Sequence, residues 1–309
     1  SDVYKRQCLD YRGQQMTFRT DVFFVLFAGV LWSTVGLGVR LIEDALVWQI
    51  LLYRSVSLSL FLYLVIWFRS GESPFVQIQS IGFPAVVAGI ALVAAYSGGV
   101  YAIQTTSVAN AMLLFATAPF MAAVLGWVCL REPVRVTTWM SIVIAVVGIS
   151  IMVADKVGSS VISGSVAALG SAFGFAVFTV ALRWGKSEEM LPAVFLSGLF
   201  GVVVTLCICL FKDLPILLSF NDGLISAGMG VFQVGAGLIF YTLGSRTIQA
   251  AELALLSLAE VLLGPFWVWI FLGETITLNT LMGGAVLLIA IVGNAVSGKR
   301  RKPPPFTSP

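Results

Sequence analysis

The chain has 309 residues, of which 59% are hydrophobic and 11% charged, with a formal net charge of +3 and no histidine. Its mean hydropathy is +0.98, and soluble proteins carry roughly 25% charged residues, so a water-soluble globule is excluded. Missing histidine also removes His-dependent serine chemistry and HExxH zinc sites.

In chain order, SDVYKRQCLDYRGQQ opens the sequence without membrane character. Met16 followed by TFRTDVFF would make a natural start, so residues 1–15 are expected to be a non-native or upstream extension within a tail of residues 1–20. No signal-peptide cleavage pattern follows the first apolar run. Apolar runs then cover 22–41, 46–68, 80–103, 107–130, 137–154, 162–184, 191–211, 223–243, 249–272 and 278–297. Each is long enough at about 1.5 Å per residue to cross a hydrocarbon core of roughly 30 Å. The expected fold is therefore an all-α polytopic membrane protein of about ten transmembrane helices. The split between the third and fourth runs is the least marked, because only QTTS separates them. The tail 298–309, within SGKRRKPPPFTSP, is basic and proline-rich, and disorder is expected there.

Charge placement orients these runs. Lys5, Arg6, Arg12, Arg19, Arg69, Arg131, Arg135, Arg183, Lys186, Arg246, Lys299, Arg300, Arg301 and Lys302 all fall on the side of the termini. The far side holds Arg40, Lys156 and Lys212, so both termini are expected to be cytoplasmic. The net charge is then explained by topology and implies no nucleic-acid partner; the bilayer is the expected surroundings.

The two halves echo each other. TTSVANAMLLFATAPFMAAVLGWVCLRE (105–132) superposes without gaps on TIQAAELALLSLAEVLLGPFWVWIFLGE (247–274). Thr105 falls on Thr247, Trp127 on Trp269, Leu130 on Leu272 and Glu132 on Glu274. A weaker echo relates WSTVGLGVR (32–40) to FAVFTVALR (175–183), each with an aromatic residue eight positions before an arginine. Five helices per half, 21–155 and 160–297, is an odd number, so the halves enter the membrane from opposite sides. Such inverted repeats build many secondary transporters, with the substrate site near the midplane at the repeat interface.

Within the spans, AELALLSLAE (251–260) places Glu252 and Glu260 about 12 Å apart along a helix and about 80° around it. Ser257 shares the face of Glu260. A charge at a span centre costs roughly 2.5–3.5 kcal/mol and therefore faces protein or a water-filled cavity. A neutral acid or a proton carrier is the expected role for such a carboxyl. Glu252, near the span start, could equally pair with Arg246, and Glu260 could form a structural hydrogen bond. Arg54, within the second span, could pair with an anionic substrate group or snorkel outward. Trp32, Tyr96, Tyr101, Asn110, Gln233 and Tyr241 are candidate cavity-wall residues, with Tyr101 and Tyr241 also readable as interfacial anchors. Asn110 occupies the repeat position of Glu252, an asymmetry that could bear on cargo. Glu132 and Glu274 read as helix-end residues capping the next helix. Gly228, Gly230, Gly235, Gly237 and the GSAFG stretch (170–174) read as close-packing positions, and Pro119 and Pro265 as kink sites.

Ten spans in paired five-helix repeats, each closed by an apolar helix running into LREPVRVTTW or LGETITLNTL, resemble EamA-type proteins of the drug/metabolite transporter superfamily. The resemblance runs from about Met16 to Val296. In the second repeat the family's acid fourteen residues before the terminal Gly-Glu corresponds to Glu260, with Val261 at the following proline position. In the first repeat Pro119 is kept and Ala118 replaces the acid. The family's second-span arginine corresponds to Arg54 in LLYRS, and the seventh span has no counterpart. The resemblance implies secondary transport of small organic metabolites, amino acids and related compounds first, with export favoured and no cofactor. A structural or sensory membrane subunit and a membrane enzyme stay open as other roles. Against an enzyme, no aspartate lies well inside a span and no GxxxxGK[ST] is present. Cys8, Cys129, Cys207 and Cys209 have neither disulfide-framework nor metal-ligand spacing.

Overall fold

The computed structural model describes residues 20–154, 159–185, 190–244 and 250–298. Ten long helices run through them: α1 Thr20–Arg40, α2 Val47–Ser70, α3 Phe83–Thr105, α4 Val108–Leu130, α5 Val136–Ala154, α6 Ser159–Trp184, α7 Leu191–Phe211, α8 Phe220–Gly244, α9 Ala250–Leu272 and α10 Leu278–Gly298. All ten expected runs fall on helices; among the described residues nine are long and apolar enough to cross a membrane, and within α9 the stretch Ala259–Leu272 is a shorter apolar helix. The protein is an all-α integral membrane protein. Only Thr106 and Ser107 separate α3 from α4; Ser107 accepts the Asn110 amide at 3.2 Å and so caps the new helix.

A short helix, Pro74–Ile81, lies between α2 and α3 and is absent from the ten-run reading. Its signals are Ser73 before Pro74 at the first helical positions and Gly71 and Gly82 with positive φ on either side. It is too short to span, so hydropathy alone does not register it.

The packing follows an exchange of the two halves. α3 packs along α6, α2 against α7, α3 against α7, α2 against α8, α4 against α6, and α9 against α1. α2 with α7 and α5 with α10 are each pairs of equivalent helices, as an axis passing between them requires. Among the nine spans other than α9, α6 is the most enclosed, with 56% of its apolar stretch buried, and α5 the least with 28%, which puts α6 towards the centre and α5 at the lipid.

Without water to expel from between helices, close approach depends on small residues. Gly148 of α5 and Gly283 of α10 sit backbone to backbone: a Cβ on Gly148 would lie 2.7 Å from the Gly283 carbonyl. Thr138 donates to Asn294 at 2.8 Å in the same pair. α2 and α7 meet similarly, with Ser55 and Ser59 against Gly201 and Gly198. Of the GSAFG stretch, Gly174 contacts the α3 backbone whereas Gly170 faces open space. The chain breaks at Ala116–Thr117, just before Pro119, whereas α9 continues through Pro265. Gly283→Leu should force α5 and α10 apart and lower stability by about 1–3 kcal/mol. Thermal unfolding of the detergent-solubilised protein, beside Gly170→Ala as an unaffected control, measures it.

Candidate functional site

α8 acts as a ruler for the interior, because its glycines bring it against α2 and α1. At Gly230 there is no room for a side chain: the Arg54 carbonyl and the Ser57 hydroxyl fill the space. At Gly237 the Trp32 indole does the same. Between them Met229–Ala236 is π-helical, a geometry that interrupts the regular backbone ladder and often marks functional segments. Ser57 donates to the Ala227 carbonyl at 2.9 Å at the start of this stretch. Gln233 lies within the π-helical turn, 8% exposed, and its Oε1 has no hydrogen-bond partner among the described residues.

Arg54 is 5% exposed, so it does not snorkel to the surface. Its guanidinium carbon sits 4.5 Å from the centre of the Tyr96 ring, a cation–π contact across α2 and α3. Its Nε finds no acceptor, and no carboxylate pairs with it among the described residues. A small cavity of about 10 Å³, lined by Ser55, Tyr96, Ser97, Ser197 and Thr205, adjoins this contact. That is room for a single water.

Further along α8, Trp32 and Tyr241 meet with ring centroids 5.1 Å apart. Glu260 is the electrostatic neighbour of Tyr241, and its backbone passes Gly29 of α1. The Glu260 side chain is half-buried, without a hydrogen bond or ion pair among the described residues. From Gly230 to Tyr241 is eleven residues, about 16 Å at 1.5 Å per residue. The Arg54 backbone and Glu260 therefore approach α8 at separate levels.

The remaining sequence candidates divide. Asn110 is wholly buried, and its Nδ2 donates to Thr106 at 3.1 Å and Ser165 at 3.0 Å, tying α4 to α6. Tyr101 is 39% exposed, with its hydroxyl 3.2 Å from Ser163, in keeping with an interfacial anchor. Glu252 and Ser257 lie on α9, but their side chains, like Arg246, fall outside the described residues.

Two results were not legible in the sequence. Trp267 donates to Ser33 at 2.8 Å and joins α9 to α1; a serine one position after Trp32 gives no such signal by itself. Glu274 does cap a helix, but not the following one. It accepts the Val108 amide at the start of α4 at 2.8 Å, while Thr277 caps α10. The inversion of the halves carries the end of α9 to the start of α4.

A roomier cleft of about 230 Å³ lies elsewhere, among Phe120, Val124, Ile142, Val146, Ile149 and Phe173. Its walls offer no charged group, so it has the character of a lipid-facing groove rather than a polar-solute site. Among the described residues no group of three potential metal ligands occurs.

An all-α bundle with two interrelated halves and, among the described residues, charged groups in its interior without a counter-charge has the architecture of a membrane carrier. The family model of the EamA-like transporter family matches residues 19–154 and again 162–296. The chain belongs to this family. It is 23% identical to human solute carrier family 35 member G1 over 89% of this chain and 78% of that protein. It is 22% identical to the uncharacterized transporter YwfM of Bacillus subtilis (strain 168), over 90% of this chain and 95% of that one. A solved crystal structure superposes with a TM-score of 0.63 at 15% identity, over 91% of this chain and 98% of the other, which shows a shared fold.

Because Asn110 spends its amide between helices, Asn110→Ala should lower stability by about 1–3 kcal/mol. Solute selectivity should stay unchanged, as thermal unfolding and a flux panel on the same preparation would show.

Proposed function

We propose that this membrane transporter is a secondary transporter of small organic metabolites, amino acids and related compounds first, working by alternating access with export favoured. One observation carries the reading: Arg54 and Glu260, of opposite charge, both lie inside the bundle without a counter-charge among the described residues. An intramembrane charge with no structural partner is best explained by a ligand or ion that visits it.

The separate levels of the two groups support a division of labour. Arg54, held on Tyr96, offers in-plane N–H donors to a carboxylate. Glu260, near Tyr241, suits an ammonium group or a coupling proton. A compact zwitterion has its charges only a few bonds apart, so simultaneous contact needs the long Arg54 side chain to reach along α8. The excess of Lys and Arg on the side of the termini supports cytoplasmic ends in a bacterial inner membrane.

Counterflow in proteoliposomes with a pooled panel of labelled amino acids and metabolites tests the proposal. Wild type should accumulate at least one labelled solute, and Glu260→Gln should reduce that flux by about tenfold or more, the scale of losing a charge-assisted contact. If Glu260 carries a proton, wild-type flux varies with pH and residual Glu260→Gln flux does not. Flux of undiminished rate and pH dependence in the variant would remove Glu260 from the mechanism.

A further inference from the structure

The two repeat echoes, Arg40 with Arg183 and Glu132 with Glu274, are joined crosswise by the fold. On the face away from the termini, Arg40 at the end of α1 pairs with Glu274 just beyond α9, Nε to Oε2 at 3.1 Å. Arg40 Nη2 also donates to the Thr106 carbonyl at 2.8 Å, and the second Glu274 oxygen accepts the Val108 amide at 2.8 Å. On the terminal face, Arg183 near the end of α6 pairs with Glu132 just beyond α4, Nη1 to Oε2 at 2.5 Å. Each pair therefore links an arginine of one half to a glutamate of the other, and the two pairs sit at opposite faces.

We propose that these pairs are reciprocal latches, so that opening the far face requires breaking Arg40–Glu274 and opening the terminal face requires breaking Arg183–Glu132. The proposal rests on the alternating-access reading. Exposure suits the role. A fully buried pair would leave a stranded charge on separation, whereas a partly exposed one rehydrates and releases at low cost. Side-chain exposures are 28% and 25% for Arg40 and Glu274, against 43% and 41% for Arg183 and Glu132.

The latches are unequal. The far pair is drier and holds two extra backbone contacts around the α3–α4 turn, and about two turns further into the spans Trp267 on Ser33 joins α9 to α1. Arg183 has one weaker backbone contact, to the Ala122 carbonyl at 3.4 Å. The terminal latch is thus the weaker, and the protein at rest opens more readily towards its termini.

The test is access to the interior from each face. A cysteine replaces Gln233 in a background with Cys8, Cys129, Cys207 and Cys209 changed to alanine, and oriented proteoliposomes meet a membrane-impermeant maleimide on one side at a time. Arg40→Gln and Glu274→Gln should raise labelling from the far face by about tenfold and lower it from the terminal face. Arg183→Gln and Glu132→Gln should do the reverse, by about threefold. The exchange Arg183→Glu with Glu132→Arg should restore the parent pattern. Should a glutamine variant fail to fold, Arg40→Lys and Glu132→Asp should move labelling in the same directions. Labelling that does not change, or changes alike in both sets, overturns the latches, as does an exchange that restores nothing. Solute flux in parallel vesicles that keep Gln233 and carry the same latch substitutions separates the two readings. Reciprocal labelling without flux of any solute supports the latches and removes the transport reading, whereas flux without reciprocity removes the latches alone.

Discussion

A charge inside hydrocarbon must face protein, a partner or a trapped ligand, and the interior of this protein is arranged around that constraint. Few charged residues lie in the long apolar spans. The ion pairs lie at the two faces, where the side chains keep access to water. Arg54 and Glu260 lie between them, one held by an aromatic ring and the other near Tyr241. Among the described residues, paired charges lie towards the ends while charges without a counter-charge occupy the middle.

Close helix packing makes this possible. Glycine and serine at the α2–α7 and α5–α10 contacts bring equivalent helices together, so the halves meet across narrow backbone-to-backbone seams. α8 approaches α2 closely at Gly230, within its π-helical turn, and Ser57 donates to the Ala227 carbonyl just before that turn. Gln233 is presented from that irregular turn, a position where a regular helix would aim it differently. Local geometry, packing and the chemistry of the interior are thus one arrangement.

Pseudo-symmetry supplies the frame, and departures from it supply the chemistry. Glu260 corresponds to Ala118, so only the second half carries an acid at that level. Asn110 corresponds to Glu252, but its amide is committed to Thr106 and Ser165. A carrier built from two similar halves needs equal skeletons to exchange states, yet an asymmetric ligand needs unequal walls. Both conditions are met by conserving helix ends across the repeat while varying side chains within the spans.

Sequence alone determined the spans, the repeat and the residues of opposite charge within the apolar runs, because hydropathy, spacing and in-register coincidence are local or pairwise properties of the chain. It identified Glu132, Glu274, Arg40 and Arg183 as repeated features without joining them. Tertiary structure decided that join: Arg40 meets Glu274 across 234 positions only because inversion carries the end of α9 beside the end of α1. It also decided that Asn110 ties two helices, that Arg54 rests on Tyr96 rather than snorkelling, and that α8 is π-helical beside Arg54. Those outcomes depend on which helix lies opposite each side chain and how near its backbone comes, and that is a property of the packed bundle.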